Sequence, residues 1–278
     1  MIFLNGEQVL FSKFPNNETK LNQINGSWII TPNKLTVTFV YESDQDLINL
    51  MILKYWLDNN YDEKYHYLEI MYMPYSRMDR KIGYQIPTMR TVLNYLKYLK
   101  FSAYSVCDPH SCEEMYEYLG FHIVNQLRCT RGEIAYENIY NYVIKDLVKN
   151  IPITVLAPDK GAEKKSLEIA NYYDLPFMIA NKVRDVVTGN ITDTQILGNV
   201  EGKNLFIFDD IIDGGATFIE LAKVAKANGA NDLYLYATHG IFTKGTSELE
   251  KYFKHIFVYH TFMKECESQN VTVLRKKI

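Results

Sequence analysis

Eight short runs, "LTVTFVY" (35–41), "YLEIMYM" (67–73), "AYSVCD" (103–108), "ITVLA" (153–157), "PFMIA" (176–180), "LFIF" (205–208), "LYLYAT" (233–238) and "IFVYH" (256–260), read as strands, several of them apolar throughout. A strand with one wet face alternates, whereas a strand apolar at successive positions is covered on both faces, as in parallel sheets between helical layers. Segments of helical period lie between them. Ser43 with Asp46 reads as a capping box opening a helix with Leu47, Leu50, Met51 and Tyr55 on one face. Further helices are predicted over 88–100, 133–149 and 162–173, and a last one buries Phe218, Leu221, Ala222 and Ala225 before Gly229 stops it. This order predicts an α/β chain of doubly wound, mainly parallel sheets, with ligand sites at the carboxyl ends of strands. A length of 278 residues exceeds a single core, so two domains are expected, 1–135 and 136–278, with the tyrosine-rich helix at their junction.

Composition excludes more than it selects. The chain is 47% hydrophobic and 23% charged, which is ordinary for a globular protein, and its net charge of -3 gives no general attraction to nucleic acid or anionic lipid. Phosphate binding must then come from specific local groups. The start, "MIFLNGEQVLF", lacks the basic n-region and continuous apolar run of a signal peptide, and no stretch is long enough to span a bilayer. Cys107, Cys112, Cys129 and Cys266 form no CxxC pair, so reduced thiols in a cytoplasmic protein are expected and a zinc site is not. The 22 tyrosines are scattered without a repeat, which suits packing and interfaces more than a base-stacking platform.

"FDDIIDGGAT" (208–217) sets three carboxylates, two glycines and a threonine between a strand and a helix. Amides opening a helix, freed of side-chain bulk by Gly214 and Gly215, form an anion cradle to which Thr217 adds a hydroxyl. Asp209 and Asp210 suit sugar hydroxyls, or a magnesium ion through water. Together they describe a phosphorylated sugar lying across the loop. The plainer alternative is an Asp/Gly turn with Thr217 as a helix cap.

The loop resembles that of phosphoribosyltransferases and, more closely, of ribose-phosphate diphosphokinases (phosphoribosyl pyrophosphate synthetases), usually DDIIDTAGT. Five more stretches follow the synthetase pattern: "FPNNE" (14–18), "PYSRMDRK" (74–81), "CDPH" (107–110), "APDKG" (157–161) and "NKVR" (181–184). Taken singly, RxDR reads as a solvated salt bridge, His110 as an ordinary histidine and KVR as an exposed tripeptide. The resemblance implies domains of the phosphoribosyltransferase type and a magnesium-dependent transfer of diphosphate from ATP to the C1 hydroxyl of ribose 5-phosphate. It implies ATP contacts from Phe14, Asn16, Glu18, Arg77, Asp79 and His110, with the Phe14 loop supplied by a neighbouring subunit of a homodimer or larger assembly. Asp159, Asp209, Asp210, Asp213, Gly214, Gly215, Ala216 and Thr217 would hold the ribose phosphate. His110 and Asp159 would serve the magnesium site. Lys182 and Arg184, on a glycine- and threonine-rich loop that closes over the reactants, would be catalytic.

Three departures stand out. Met78 replaces a usual glutamine, the chain before Phe14 is short, and Gly214 replaces a threonine that would donate to the sugar's terminal phosphate. The last points to an acceptor whose 5-phosphate is esterified further, such as ADP-ribose. A phosphoribosyltransferase, or a non-catalytic regulatory partner of a synthetase, are the alternatives. The first leaves the RMDR, FPNNE and KVR matches without work, and retention of Lys182, Arg184, His110 and Asp159 argues against the second.

Overall fold

The computed structural model describes residues 1–22, 24, 34–62, 66–79, 83–84, 86–110, 122–124, 151–184, 191–263 and 268–274, with 122–124, 182–184 and 191–193 described by backbone alone. The described residues fall into two compact units, one within Met1–Asn125 and one within Gln126–Lys277. The expected helix over 133–149, and the 135/136 junction, lie outside the described residues.

In the first unit β1 (Ile2–Leu4) and β2 (Glu7–Gln8) form an antiparallel edge on β5 (Leu35–Phe39), which continues in parallel through β6 (His66–Ile70) and β7 (Ala103–Cys107) to β8 (His122–Val124). A separate hairpin, β3 (Phe11–Lys13) with β4 (Thr19–Leu21), stands beside this sheet in sequence. Helix α2 (Thr88–Leu99) buries Met89, Val92, Leu93 and Leu96, a stripe at helical spacing. Helix α1 (Gln45–Asn60) differs from its expected face. Leu50, Leu53 and Leu57 are buried, whereas Met51 and Tyr55 are exposed.

The reason is a buried lysine. Lys54 lies on the inward stripe at 2% exposure, paired with Asp58, its ammonium 5.3 Å from the centre of the Phe101 ring. Asp58 also lies 3.2 Å from Nδ1 of the buried His66. A lysine at an interior position breaks the apolar pattern and rotates the apparent face. The expected capping box forms in half: the Asp46 carboxylate accepts the amides of Glu42 and Ser43 at 3.0 Å each, while the N-cap falls at Asp44 without a side-chain cap. Because Asp58 neutralises a buried ammonium, Asp58→Ala should destabilise the protein by about 2–4 kcal/mol, somewhat less than for a fully buried pair. Adding Lys54→Met should recover part of the loss in denaturant titrations. A double variant no more stable than Asp58→Ala would mean that Lys54 needs no counter-charge.

In the second unit the strand order is β11-β10-β9-β12-β13-β14-β15, for β9 (Ile153–Ala157), β10 (Phe177–Arg184), β11 (Ile191–Leu197), β12 (Asn204–Ile212), β13 (Leu233–Gly240), β14 (His255–Thr261) and β15 (Val271–Val273). All neighbours are parallel except β10 and β11. Alternate residues of β12 and β13 feed two cores. Leu205, Ile207, Leu233 and Leu235 pack with Phe218 and Leu221 of α4 (Ala216–Ala227), while Phe206, Phe208, Tyr234 and Tyr236 pack with Ile169 of α3 (Glu163–Tyr172). Two covered faces explain the unbroken apolar runs, and the second core is an aromatic layer in which Phe206 and Phe208 lie 4.3 Å apart.

Two strands run longer than expected. β12 continues through Asp209 and Asp210 to Ile212, so these carboxylates belong to the sheet and not to a loop. β10 continues through Lys182 to Arg184 as an antiparallel ribbon with β11, where a mobile loop was expected from 181 onward. Polar residues in such a ribbon carry none of the apolar signal that marks the covered strands.

Candidate active site

β9 leads through α3 to β10 on one side, and β12 leads through α4 to β13 on the other, so the chain reverses direction across the sheet between β9 and β12. The crevice at the carboxyl ends of such a strand pair is where open α/β sheets bind ligands. Asp159 follows β9, and Asp209 and Asp210 lie near the end of β12. The fold thus brings together carboxylates that are about fifty residues apart in sequence.

Their local structure is specific. One Asp159 oxygen accepts the amides of Gly161 at 3.0 Å and Ala162 at 3.1 Å, tying the strand end to the start of α3. Gly161 has no side chain because a Cβ there would stand 3.2 Å from that same oxygen. Asp209 accepts the amide of Asp210 at 2.9 Å. Burial raises the Asp209 carboxyl well above the usual range, and the charges of Asp210 and then Asp159 add to the effect. Crowded carboxylates of this kind favour a cation or a set of hydroxyl donors beside them. Among the described residues no three His, Cys, Asp or Glu side chains gather where they could hold a metal ion.

Beyond β12 the chain turns through Asp213 and Gly214 into α4, whose N-cap is Gly215 with φ +76 and no side-chain cap. A Cβ on Gly215 would lie 3.0 Å from Leu249, so glycine is required there by both backbone and space. Thr217 lies inside α4 and is not its cap, so the cap expected of it in the plainer alternative falls at Gly215 instead. The first-turn amides of a helix have no intrahelical partner and attract anions. At Gly214 the nearest atoms to an added Cβ are the stem carbons of Lys244, at 3.4–3.7 Å.

A family model described as the phosphoribosyl synthetase-associated domain matches residues 153–276. The chain is 30% identical over 210 residues to the ribose-phosphate pyrophosphokinase of Pyrococcus abyssi, an alignment covering 75% of this chain and 68% of that protein. This chain belongs to the ribose-phosphate pyrophosphokinase family. It is also 28% identical over 220 residues to the ribose-phosphate pyrophosphokinase of Saccharolobus solfataricus, covering 77% and 70% of the two chains. The fold matches the phosphoribosylpyrophosphate synthetase of Mycobacterium smegmatis with a TM-score of 0.76 over 96% of this chain and 85% of that one, at 19% identity.

The remaining pyrophosphokinase-type residues are placed as follows. Phe14 to Glu18 form the tip of the β3–β4 hairpin, closed by Phe14 N–H to the Glu18 carbonyl at 2.9 Å. Asn16 Oδ1 accepts the Glu18 amide at 3.2 Å, so this side chain shapes the tip itself. Phe14 is 49% exposed, with the Lys20 ammonium 6.0 Å from its ring centre. Arg77 and Asp79 lie on the turn after β6, and exposed His110 follows β7 beside buried Asp108. His110 and Asp159 therefore belong to different units. Lys182 and Arg184 are backbone partners of Thr194 and Ile191, with a register shift between Val183 and Arg184.

A network on the first unit was missed in sequence. Tyr75 and Tyr41 both donate to Asp44 Oδ1, at 2.7 and 2.8 Å. The Tyr75 hydroxyl first, then that of Tyr41, holds the Asp44 carboxyl below its ordinary range. This ties the turn bearing Arg77 to the start of α1. No spacing rule could have found it, since Asp44 and Tyr75 are 31 residues apart.

Proposed function

We propose that this chain transfers the β,γ-diphosphate of ATP to the C1 hydroxyl of a ribose 5-phosphate group. The C1 oxygen attacks the β-phosphorus in line, the bond from that phosphorus to the α,β-bridging oxygen breaks, AMP departs and the hydroxyl proton is released. One observation carries this reading: at the β9–β12 reversal the two sugar-binding carboxylates lead within five residues into a glycine-capped helix N-terminus. That order fits ribose hydroxyls at Asp209 and Asp210 and the 5-phosphate at Asp213 to Thr217, including Gly214, Gly215 and Ala216. Phe14, Asn16, Glu18, Arg77, Asp79 and His110 are assigned to ATP. Asp159 and His110 are each assigned to magnesium, which would supply charge neutralisation of the diphosphate. Lys182 and Arg184 are assigned to the charge that moves during transfer. The proposed assembly is a homodimer or larger.

A second reading concerns the acceptor and rests on Gly214. Glycine there carries neither the hydroxyl nor the bulk of a threonine, and the Lys244 stem stands at ordinary contact distance, so backbone amides would do most of the binding, which suits a 5-phosphate esterified further, as in ADP-ribose. AMP release from ATP, measured against a panel of ribose phosphates, tests the chemistry. The purified chain should release AMP only when an acceptor with a free C1 hydroxyl is present. Comparing kcat/KM for ribose 5-phosphate and ADP-ribose then selects the acceptor, with Gly214→Thr expected to shift preference towards ribose 5-phosphate. Unchanged strong preference for ribose 5-phosphate in both proteins would rule out the esterified acceptor, and no AMP with any acceptor would rule out the transfer.

A further inference from the structure

The segment Ile241–Gly245, after β13, is built onto the phosphate loop. The amides of Ile241 and Phe242 both donate to the Ile212 carbonyl, at 2.8 and 3.3 Å, and the Thr243 hydroxyl donates to Asp213 Oδ1 at 2.7 Å. Phe242 is buried at φ +52, a conformation that non-glycine residues rarely adopt, and the Gly245 amide closes the turn onto the Phe242 carbonyl at 2.8 Å. Gly240 makes room for this turn, because a Cβ there would fall 2.3 Å from the Phe242 ring. A segment over-determined in this way holds its tip in one place.

Lys244 stands at that tip. Its Cδ, Cε and Cγ lie 3.4, 3.5 and 3.7 Å from the position of a Gly214 Cβ, and its ammonium is one bond beyond Cε. The glycine therefore does more than delete a hydroxyl: the lysine stem packs at contact distance beside the place its side chain would take. The "DGGAT" segment has no cation of its own, and the first turn of α4 carries no acidic residue to oppose one.

We propose that Lys244 is a binding residue of the acceptor's phosphate subsite, an ammonium that replaces a neutral donor at position 214 and reads the negative charge of the 5-phosphate end. This rests on the assignment of Asp213 to Thr217 to that phosphate. An ammonium on a flexible stem contacts phosphate as a point charge without fixing its geometry, so it serves a terminal phosphate or a diphosphate linkage alike.

The test uses wild type, Lys244→Ala and Lys244→Arg, with ribose 5-phosphate as the probe in both calorimetric binding without ATP and steady-state AMP release. Lys244→Ala should weaken ribose 5-phosphate binding and raise its KM by roughly ten- to a hundredfold, as loss of a charge-assisted contact does. The KM for ATP should stay within about threefold, and Lys244→Arg should retain most of the affinity. Wild-type affinity in Lys244→Ala overturns the inference. Lys244-dependent binding without any AMP release would keep the inference and remove the transfer reaction instead, while failure of wild type to bind ribose 5-phosphate would sink both.

Discussion

Lys182→Ala should lower turnover by roughly 10²–10⁴-fold while changing the KM values for ATP and acceptor much less, because the assigned contact forms mainly as charge moves between phosphorus and the departing oxygen. In phosphoryl transfer the protein contributes positioning and charge neutralisation more than bond-making, so a single cation can carry a large share of the barrier. Lys182 lies on the extension of β10, whose neighbour β9 ends at Ala157, two residues before Asp159, and its backbone pairs across the ribbon with Thr194. Steady-state kinetics with AMP as readout, beside thermal unfolding to exclude a folding defect, decides the matter. Turnover within about threefold of wild type would take Lys182 out of the mechanism.

Much of the second unit was legible because its strands are covered on both faces. "ITVLA" coincides with β9, and the stripe of Phe218, Leu221, Ala222 and Ala225 is the buried face of α4. The strand-to-helix passage at 208–217 was legible for a different reason: its carboxylates, glycines and threonine are compressed into ten consecutive positions, so sequence distance and spatial distance agree. Elsewhere they do not. The β1–β2 edge, the β3–β4 hairpin, β11 and β15 are short or polar, and pairing alone defines them. The inward face of α1 was misread because a buried lysine mimics a solvent position until its partners Asp58 and Phe101 are seen. Lys244 was invisible for the same reason, since 30 residues separate it from Gly214 and only the fold seats its stem against that glycine.

The two adjacent glycines of the loop should respond oppositely to the same added methyl group, and this contrast probes the phosphate cradle most directly. Gly215→Ala places a Cβ on a residue with φ +76 and sets it 3.0 Å from two carbons of Leu249, which belongs to the buried core. Left-handed backbone costs an L-residue about 1–2 kcal/mol, and overpacking adds to it, so a stability loss of about 2–4 kcal/mol is expected. Relief requires the α4 start to shift, and its amides shift with it. Misplacement of a binding group by an ångström can cost on the order of 10²-fold in rate, so a loss of about that size in kcat/KM for the acceptor should accompany the destabilisation. Gly214→Ala meets different conditions. Its nearest neighbours are the movable stem carbons of Lys244 at 3.4 Å or more, and its φ lies outside the left-handed region. Its stability should stay within about 0.5 kcal/mol of wild type, with a loss in acceptor kcat/KM of about tenfold at most. Denaturant titrations and acceptor kinetics on the two variants give the comparison. The stability difference follows from the left-handed φ and Leu249 alone, so the kinetic arm decides: equal losses in acceptor kcat/KM at both positions would take the amides at the start of α4 out of acceptor binding.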